Sequence, residues 1–343
     1  MFDYTTTLRR LCGIMSIAGY EKRAADEIRD LFGSAFDSIT TDPARNIILL
    51  KKSKKPGVTG KLMLDAHFDE VGMIVTGITD EGMLRVQPIG GIDCKILPAS
   101  DVWIYARDGK HYGVFASVSP HLSANRDTTP KWDNLLIDCG CESKEEAQQF
   151  VDIGTPVGFY GEGEELLDHR ITGHALDDKS CAAGLICAVD RIPAEELEYD
   201  VYITLSAGEE VGGRGAGCAA WTIQPDLAII TDVNFATTPG VQAEESGKLG
   251  GGPMVSKSVV TDRVLTKNIL ELAKANEIPV STVFEVTATG TNNECVAFIR
   301  EGIPTAVVSL PLAGMHSYNE LISTDDAENF IKLIGKICTA AQL

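Results

Sequence analysis

Seven side chains of metal-binding or acid–base type stand where apolar runs give out. The stretch SAGEEVGGRGA (206–216) places Glu209 and Glu210 side by side, between an apolar run and a glycine-rich one. KLMLDAH ends at His67, LAIITD at Asp232, and AVVSLPLAGMH reaches His316. In open α/β sheets, ligands bind at the carboxyl ends of strands. Four apolar strands that each bring His, Asp or Glu to one edge form the pattern of a hydrolytic metal site. Nitrogen together with carboxylate oxygen suits zinc, cobalt or manganese better than calcium. A fifth contributor is Asp177, in HALDDKS ahead of a helical pattern. Taken alone, Asp177 and Asp178 read more simply as a helix N-cap and a first-turn acid; convergence with the other four favours a ligand. Asp69, two residues after His67, is expected to accept the imidazole's second N–H and so fix its tautomer.

These residues need elements to hold them. Residues 3–33 predict two helices, and short strand candidates follow up to GKLMLDAH. From about 71 to 165 the character changes to short strands (VGMIVTGI, MLRVQPIG, DVWIYA, GVFASV, LLIDCG) separated by Gly, Asp and Pro turns. One short helix, SKEEAQQF, interrupts them, with Ser143 as N-cap and Glu146 three residues later. After RITGHA, apolar strands again alternate with helices, including DDKSCAAGLICAVDRI, RVLTKNILELAKANEI and NECVAFIREG. The expected fold class is α/β, a mixed sheet with helices on both faces. An all-β module is inserted into it. The expected catalytic domain comprises 1–68 and 165–343, and the insert comprises 69–164.

Composition narrows the partners. The 343 residues are 44% hydrophobic and 23% charged, as in a globular protein, and the net charge is −19. That charge argues against nucleic acid or an anionic membrane surface as a partner. The small basic cluster of Lys51, Lys52, Lys54 and Lys55 lies beside a Pro-Gly pair and reads as a solvated hairpin tip. The amphipathic N-terminus lacks the layout of a signal peptide, and no segment approaches the ~18 apolar residues of a membrane span. Nine scattered cysteines without a CxxC pair suit a reducing cytoplasm. The CxC spacing of Cys139 and Cys141 is expected to reflect alternate strand positions.

The motifs AHFDEVG, ALDDKSCAAGL, SAGEEVGGRGA, TDV and MHSYNE, in this order, resemble those of the M42 metallo-aminopeptidases. These are the tetrahedral or glutamyl aminopeptidases, some of which are also called endoglucanases. The resemblance extends through the insert, where GVFASVSPHL and LLIDCGCESKEEA also match. It implies a di-zinc exopeptidase type of fold and two divalent metal ions per subunit, zinc or cobalt. Asp177 would bridge them, with His67 and Asp232 completing one site and Glu210 and His316 the other. Glu209 would be the general base acting on a water between the ions, since a carboxylate held by metal is no longer a free base. The substrates implied are peptides with a free N-terminus. The insert would mediate self-association, as a dimer or up to a dodecamer. Asn292 and Lys179 stand where the family often has Asp and Arg, and neither is an expected ligand. Glu320 in HSYNE is expected near the site as a loop-fixing residue, and His174 as structural.

Three other readings remain at this level. A glycosidase would use the paired glutamates as acid and base, but it leaves His67, Asp232 and His316 idle. A deacylase or carboxypeptidase on a related di-zinc scaffold would use the same ligands. A catalytically inactive binding relative would not need the complete ligand set.

Overall fold

The computed structural model describes residues 1–119, 121, 129–161 and 163–343. Pro120 and Leu122 of the SVSPHL stretch lie outside them. The chain opens with α1 (Tyr4–Gly13) and α2 (Ala25–Phe32), then β1 (Ser38–Thr41), β2 (Ile47–Lys51) and β3 (Lys61–His67). Next come β4 (Gly72–Ile78), β5 (Leu84–Ile89), β6 (Asp101–Ala106), β7 (Gly109–Phe115), β8 (Leu136–Asp138), α3 (Lys144–Ala147) and β9 (Pro156–Phe159). The strands β10 (Glu164–Leu166) and β11 (Arg170–Gly173) lead into α4 (Leu176–Asp190), β12 (Asp200–Ser206), α5 (Gly215–Ile223) and β13 (Leu227–Phe235). The rest is β14 (Met254–Ser258), α6 (Arg263–Ala275), β15 (Ser281–Glu285), α7 (Asn293–Val296), β16 (Thr305–Leu312), β17 (Glu320–Ser323) and α8 (Thr324–Cys338).

The main sheet has the order β1-β2-β12-β3-β13-β16-β14-β15. Strands β12, β3, β13 and β16 run parallel at its centre, and antiparallel pairings join β2 to β12 and β14 to β16. Side chains alternate between two cores, as the two-residue period of a strand requires. Leu62 and Leu64 of β3 join α1, α2, α4, α6 and α8, whereas Met63 joins α5 and Val296 of α7. Each fully buried Leu or Ile contributes about 1.5–3 kcal/mol. Helix α4 is buried along its whole length from Leu176 to Val189, which explains why it shows apolar residues all round rather than one stripe. Between β3 and β10, the strands β4-β5-β8-β7-β6-β9 close into a small antiparallel barrel around a core of its own. A closed barrel leaves no free strand edge.

Several expectations change. Asp232 is not terminal on its strand, because β13 continues to Phe235 through pairing with Leu312. No side-chain cap opens α4. Ala175 takes a left-handed conformation (φ +56°), Asp177 and Asp178 are non-helical, and the peptide between them is cis. The helix predicted over NECVAFIREG ends as regular α structure at Val296. The lysine cluster is no hairpin tip, since β12 lies between β2 and β3. Lys51 instead donates to the carbonyls of Val189 and Ile192, capping the negative end of α4. The Ser143 cap appears as expected, its hydroxyl accepting from the Glu146 N–H.

The loop after β12, which carries both glutamates, is pinned at its two ends. Asn46 accepts from the Ala207 N–H (2.9 Å) and donates to the Gly215 carbonyl (2.9 Å), and Gly215 N–H donates to the Ala207 carbonyl (3.0 Å). A Cβ on Gly215 would lie 2.2 Å from the Ala207 oxygen and 2.4 Å from Asn46 Oδ1. No rotamer relieves a clash with backbone. Gly215→Ala is therefore expected to destabilise the fold by about 1–3 kcal/mol. The urea midpoint should shift down with an unchanged m-value.

Candidate metal centre

Three expected ligands converge from three elements. His67 closes β3, Asp232 lies in β13, and Asp177 sits in the non-helical first turn of α4. His67 Nε2 lies 2.8 Å from Asp177 Oδ1 and 3.6 Å from Asp232 Oδ1. A second triad forms around the other Asp177 oxygen: His316 Nε2 is 3.4 Å from Asp177 Oδ2 and 3.3 Å from Glu210 Oε1. One carboxylate thus faces two imidazoles. Tetrahedral zinc, with bonds of ~2.0–2.2 Å, puts its ligand atoms about 3.3–3.5 Å apart. The second triad fits that spacing, the first is drawn closer by the His67–Asp177 hydrogen bond, and both offer the nitrogen and oxygen donors zinc or cobalt accepts. Glu209 belongs to neither triad.

The expected role of Asp69 needs correction. His67 Nδ1 meets the backbone carbonyl of Asp69 (2.9 Å), while its carboxylate is 3.9 Å away. The chain turns as β3 ends, which swings that carbonyl under the ring. The freed carboxylate accepts the N–H groups of Glu209 (2.9 Å) and Glu210 (3.1 Å). Asp69 therefore orients both sides of the site, His67 through its main chain and the glutamate turn through its side chain. Glu320 plays a matching part, accepting from the N–H of His316 (2.7 Å) and of Asp177 (3.1 Å). His316 is held at φ +58° by this contact, a conformation uncommon outside glycine.

Some positioning groups escaped the sequence reading. His316 Nδ1 meets the Gly91 carbonyl (2.9 Å), which lies between β5 and β6 of the barrel. A glycine carbonyl has no side-chain signature, so only the turn-like PIGGID marked the place. Lys179, fully buried, donates to Glu70 Oε2 (3.0 Å) and to the Ile14 carbonyl (2.8 Å), and Glu70 also accepts from the Ser16 N–H (2.9 Å). This buried pair ties α4, the turn after β3 and the N-terminal segment together. Asn292 donates to Asp65 Oδ2 (3.0 Å) and Ser206 Oγ (2.8 Å), behind the strands that carry His67 and the glutamate loop. His174 is buried near Glu70, and burial lowers its pKa to about 4.

The electrostatics follow from crowding. Burial works against charge on His67, yet Asp232 and the bond to Asp177 hold its pKa well above the usual value. Hydrogen bonds to Asp177 and Glu210 push His316 up to about 11. Burial opposes ionisation of Asp177, but the bonds from His316 and His67 keep it below the ordinary carboxylate range. Burial, opposed by His67 and reinforced by Asp232, Glu210 and Asp69, pushes Glu209 up to about 8.

The sequence matches the family model described as M42 glutamyl aminopeptidase over residues 45–333. The chain belongs to the M42 aminopeptidase family. This M42 peptidase is 34% identical to the lysyl aminopeptidase of Pyrococcus furiosus, over 95% of this chain and 94% of that protein. It superposes on the aminopeptidase APDkam598 of the archaeon Desulfurococcus kamchatkensis with a TM-score of 0.91, at 30% identity, covering 99% and 95% of the two chains. The TET1 peptidase of Pyrococcus horikoshii, described as assembling into a tetrahedron or a large octahedral shell, gives 0.86 at 30% identity, with 98% and 99% covered. The chain is thus a hydrolase of the aminopeptidase type. No described helix is long and apolar enough to cross a membrane.

Both imidazoles hold protons that a metal ion must displace. Adding zinc to metal-stripped protein at pH 7 is expected to release protons, those of His67 and His316 among them. Apparent affinity should therefore fall as pH is lowered. Calorimetry in buffers of different ionisation enthalpy measures the number, and an affinity independent of pH between 6 and 8 would contradict it.

Proposed function

We propose that this chain is a dinuclear-metal aminopeptidase that removes N-terminal residues from peptides with a free α-amine. The observation that carries the reading is the division of carboxylates: Asp177 faces both histidines, Glu210 joins the second triad, and Glu209 stands outside both. In this reading His67, Asp177 and Asp232 hold one ion, and Asp177, Glu210 and His316 hold the other. When bound, the two divalent ions supply Lewis-acid polarisation of the scissile carbonyl and acidify a water between them. Glu209 accepts the water's proton and passes it to the leaving amine. A carboxylate that stands outside both triads is free to hold that proton between the two transfers. Asp69 holds Glu209 and Glu210 at fixed backbone positions, so that adjacent residues face different partners. The crowd of carboxylates around Asp177 favours a substrate end that brings positive charge.

We assign the catalytic domain to 1–68 and 165–343, its sheet covered by helices on both faces, and the inserted domain to 69–164. The two separate cores on opposite faces of β3 and β13, and the barrel's own core, support this division. The barrel is the surface of self-association in this reading. It exposes Tyr112 and Tyr160, which pack edge to face with each other and close to Trp103. Burial of such rings between copies would remove apolar area from water. Nine scattered cysteines without a CxxC pair suit a reducing, cytoplasmic setting.

Two substitutions test the roles. Glu209→Gln should keep both metals and lose turnover by about 10²–10⁴-fold, because an amide cannot take the water's proton. Glu210→Gln should instead lose part of the metal and recover some activity in excess zinc or cobalt. Elemental analysis alongside kcat over a metal titration distinguishes them, with free and N-acetylated peptides as paired substrates. Reversed behaviour of the two variants would exchange their roles, and equal rates on blocked peptides would overturn the exopeptidase reading.

A further inference from the structure

Away from the metal centre, the barrel brings two thiols together. Strand β8 ends at Asp138, so Cys139 and Cys141 do not occupy alternate strand positions as the spacing suggested. They flank Gly140, which takes φ +82° in a turn closed by its N–H donating to Asp138 Oδ1 (2.8 Å). The turn folds the two side chains to the same side, with Cys139 Sγ 3.7 Å from Cys141 Sγ and equally 3.7 Å from the Gly82 carbonyl. Both residues are half-buried, so reagents of small size reach them. A Cβ on Gly140 would meet nothing within 4 Å, which leaves the turn room to tighten.

We propose that Cys139 and Cys141 form a thiol–disulfide exchange site that takes a low-molecular-weight disulfide as its oxidising co-reactant. Closure moves the sulfurs from 3.7 Å to the ~2.05 Å of a disulfide, a shift that side-chain rotation and the free glycine can share. The Cys139 thiol donates to Cys141 Sγ, which leaves Cys141 as the accepting sulfur, so Cys141 attacks first. Its thiolate displaces one thiolate from the incoming disulfide and forms a mixed disulfide. Cys139 then gives up its proton and attacks the Cys141 sulfur, releasing the second thiolate. Two protein thiols and one disulfide become one protein disulfide and two small thiols, and the second step is fast because its partners are already adjacent.

The site also selects its co-reactant by charge. The two turns that meet there are joined by the Lys144 N–H donating to the Asp80 carbonyl (3.2 Å). They carry Asp80, Glu81, Asp138 and Glu142, with Lys144 and the Arg85 that faces Glu81 as the opposing cations. Acidic surroundings slow an anionic disulfide and favour a cationic one.

The test uses the full chain with cystamine and, separately, glutathione disulfide, followed by alkylation and peptide mapping. Cystamine should make Cys139 and Cys141 unavailable to alkylation and give a Cys139–Cys141 linkage that dithiothreitol reverses. Cys139→Ser should stop at a cystamine adduct on Cys141. The advantage of cystamine over glutathione disulfide should shrink as salt is raised, because screening weakens the carboxylate field. The proposal is overturned if wild-type protein leaves both thiols alkylatable or accumulates only mixed disulfides. It fails equally if Cys139→Ser carries no adduct at Cys141.

Discussion

One carboxylate facing two imidazoles is the constraint on which the rest of this structure turns. Asp177 lies 2.8 Å from one ring and 3.4 Å from the other, with Asp232 and Glu210 on the far sides. Such a cluster gathers like charges in a largely buried place, where their repulsion is weakly screened. It holds only because neighbouring groups fix every member. Asp69 and Glu320 each accept two backbone N–H groups, and carboxylates so bonded resist displacement. The Lys179–Glu70 pair does the same for the segments behind them.

The fold serves this cluster by bringing distant segments to one edge. The parallel centre of the sheet sets His67 and Asp232 on neighbouring strands, and the loop after β12 carries the glutamates alongside. The barrel is not a passive attachment, because Gly91 within it orients His316. Tyr318, two residues on, packs edge to face against Phe159 of the barrel at 5.9 Å. A change in the barrel's position would therefore reach the second triad directly. That coupling links proposed self-association through the barrel to the integrity of the proposed second metal site.

Much of this was legible in the sequence, for a physical reason. Ligand types stood out where apolar strand patterns broke, since His, Asp and Glu at such breaks have little to do in a core. A β-rich insert was legible as a change in strand pattern, whereas its closure into a barrel was not. Less visible were interactions carried by main chain. The carbonyl of Asp69, rather than its carboxylate, supports His67, because the direction of the turn after β3 is not written in residue types. The Gly91 carbonyl meets His316 across more than two hundred residues of sequence. The break at Asp177 and Asp178 looked like an N-cap because acids before a helix usually are one. The meeting of Cys139 and Cys141 depends on a turn at Gly140 that alternation along a strand did not suggest.

The central claim is that Asp177 is shared between two ions. Crystals of the zinc-loaded protein, measured on both sides of the zinc absorption edge, test it directly. The account predicts two anomalous peaks about 3.5–4 Å apart, each beside a different oxygen of Asp177, one also near His67 and Asp232 and the other near Glu210 and His316. A single peak, or two peaks of which only one touches Asp177, would contradict it.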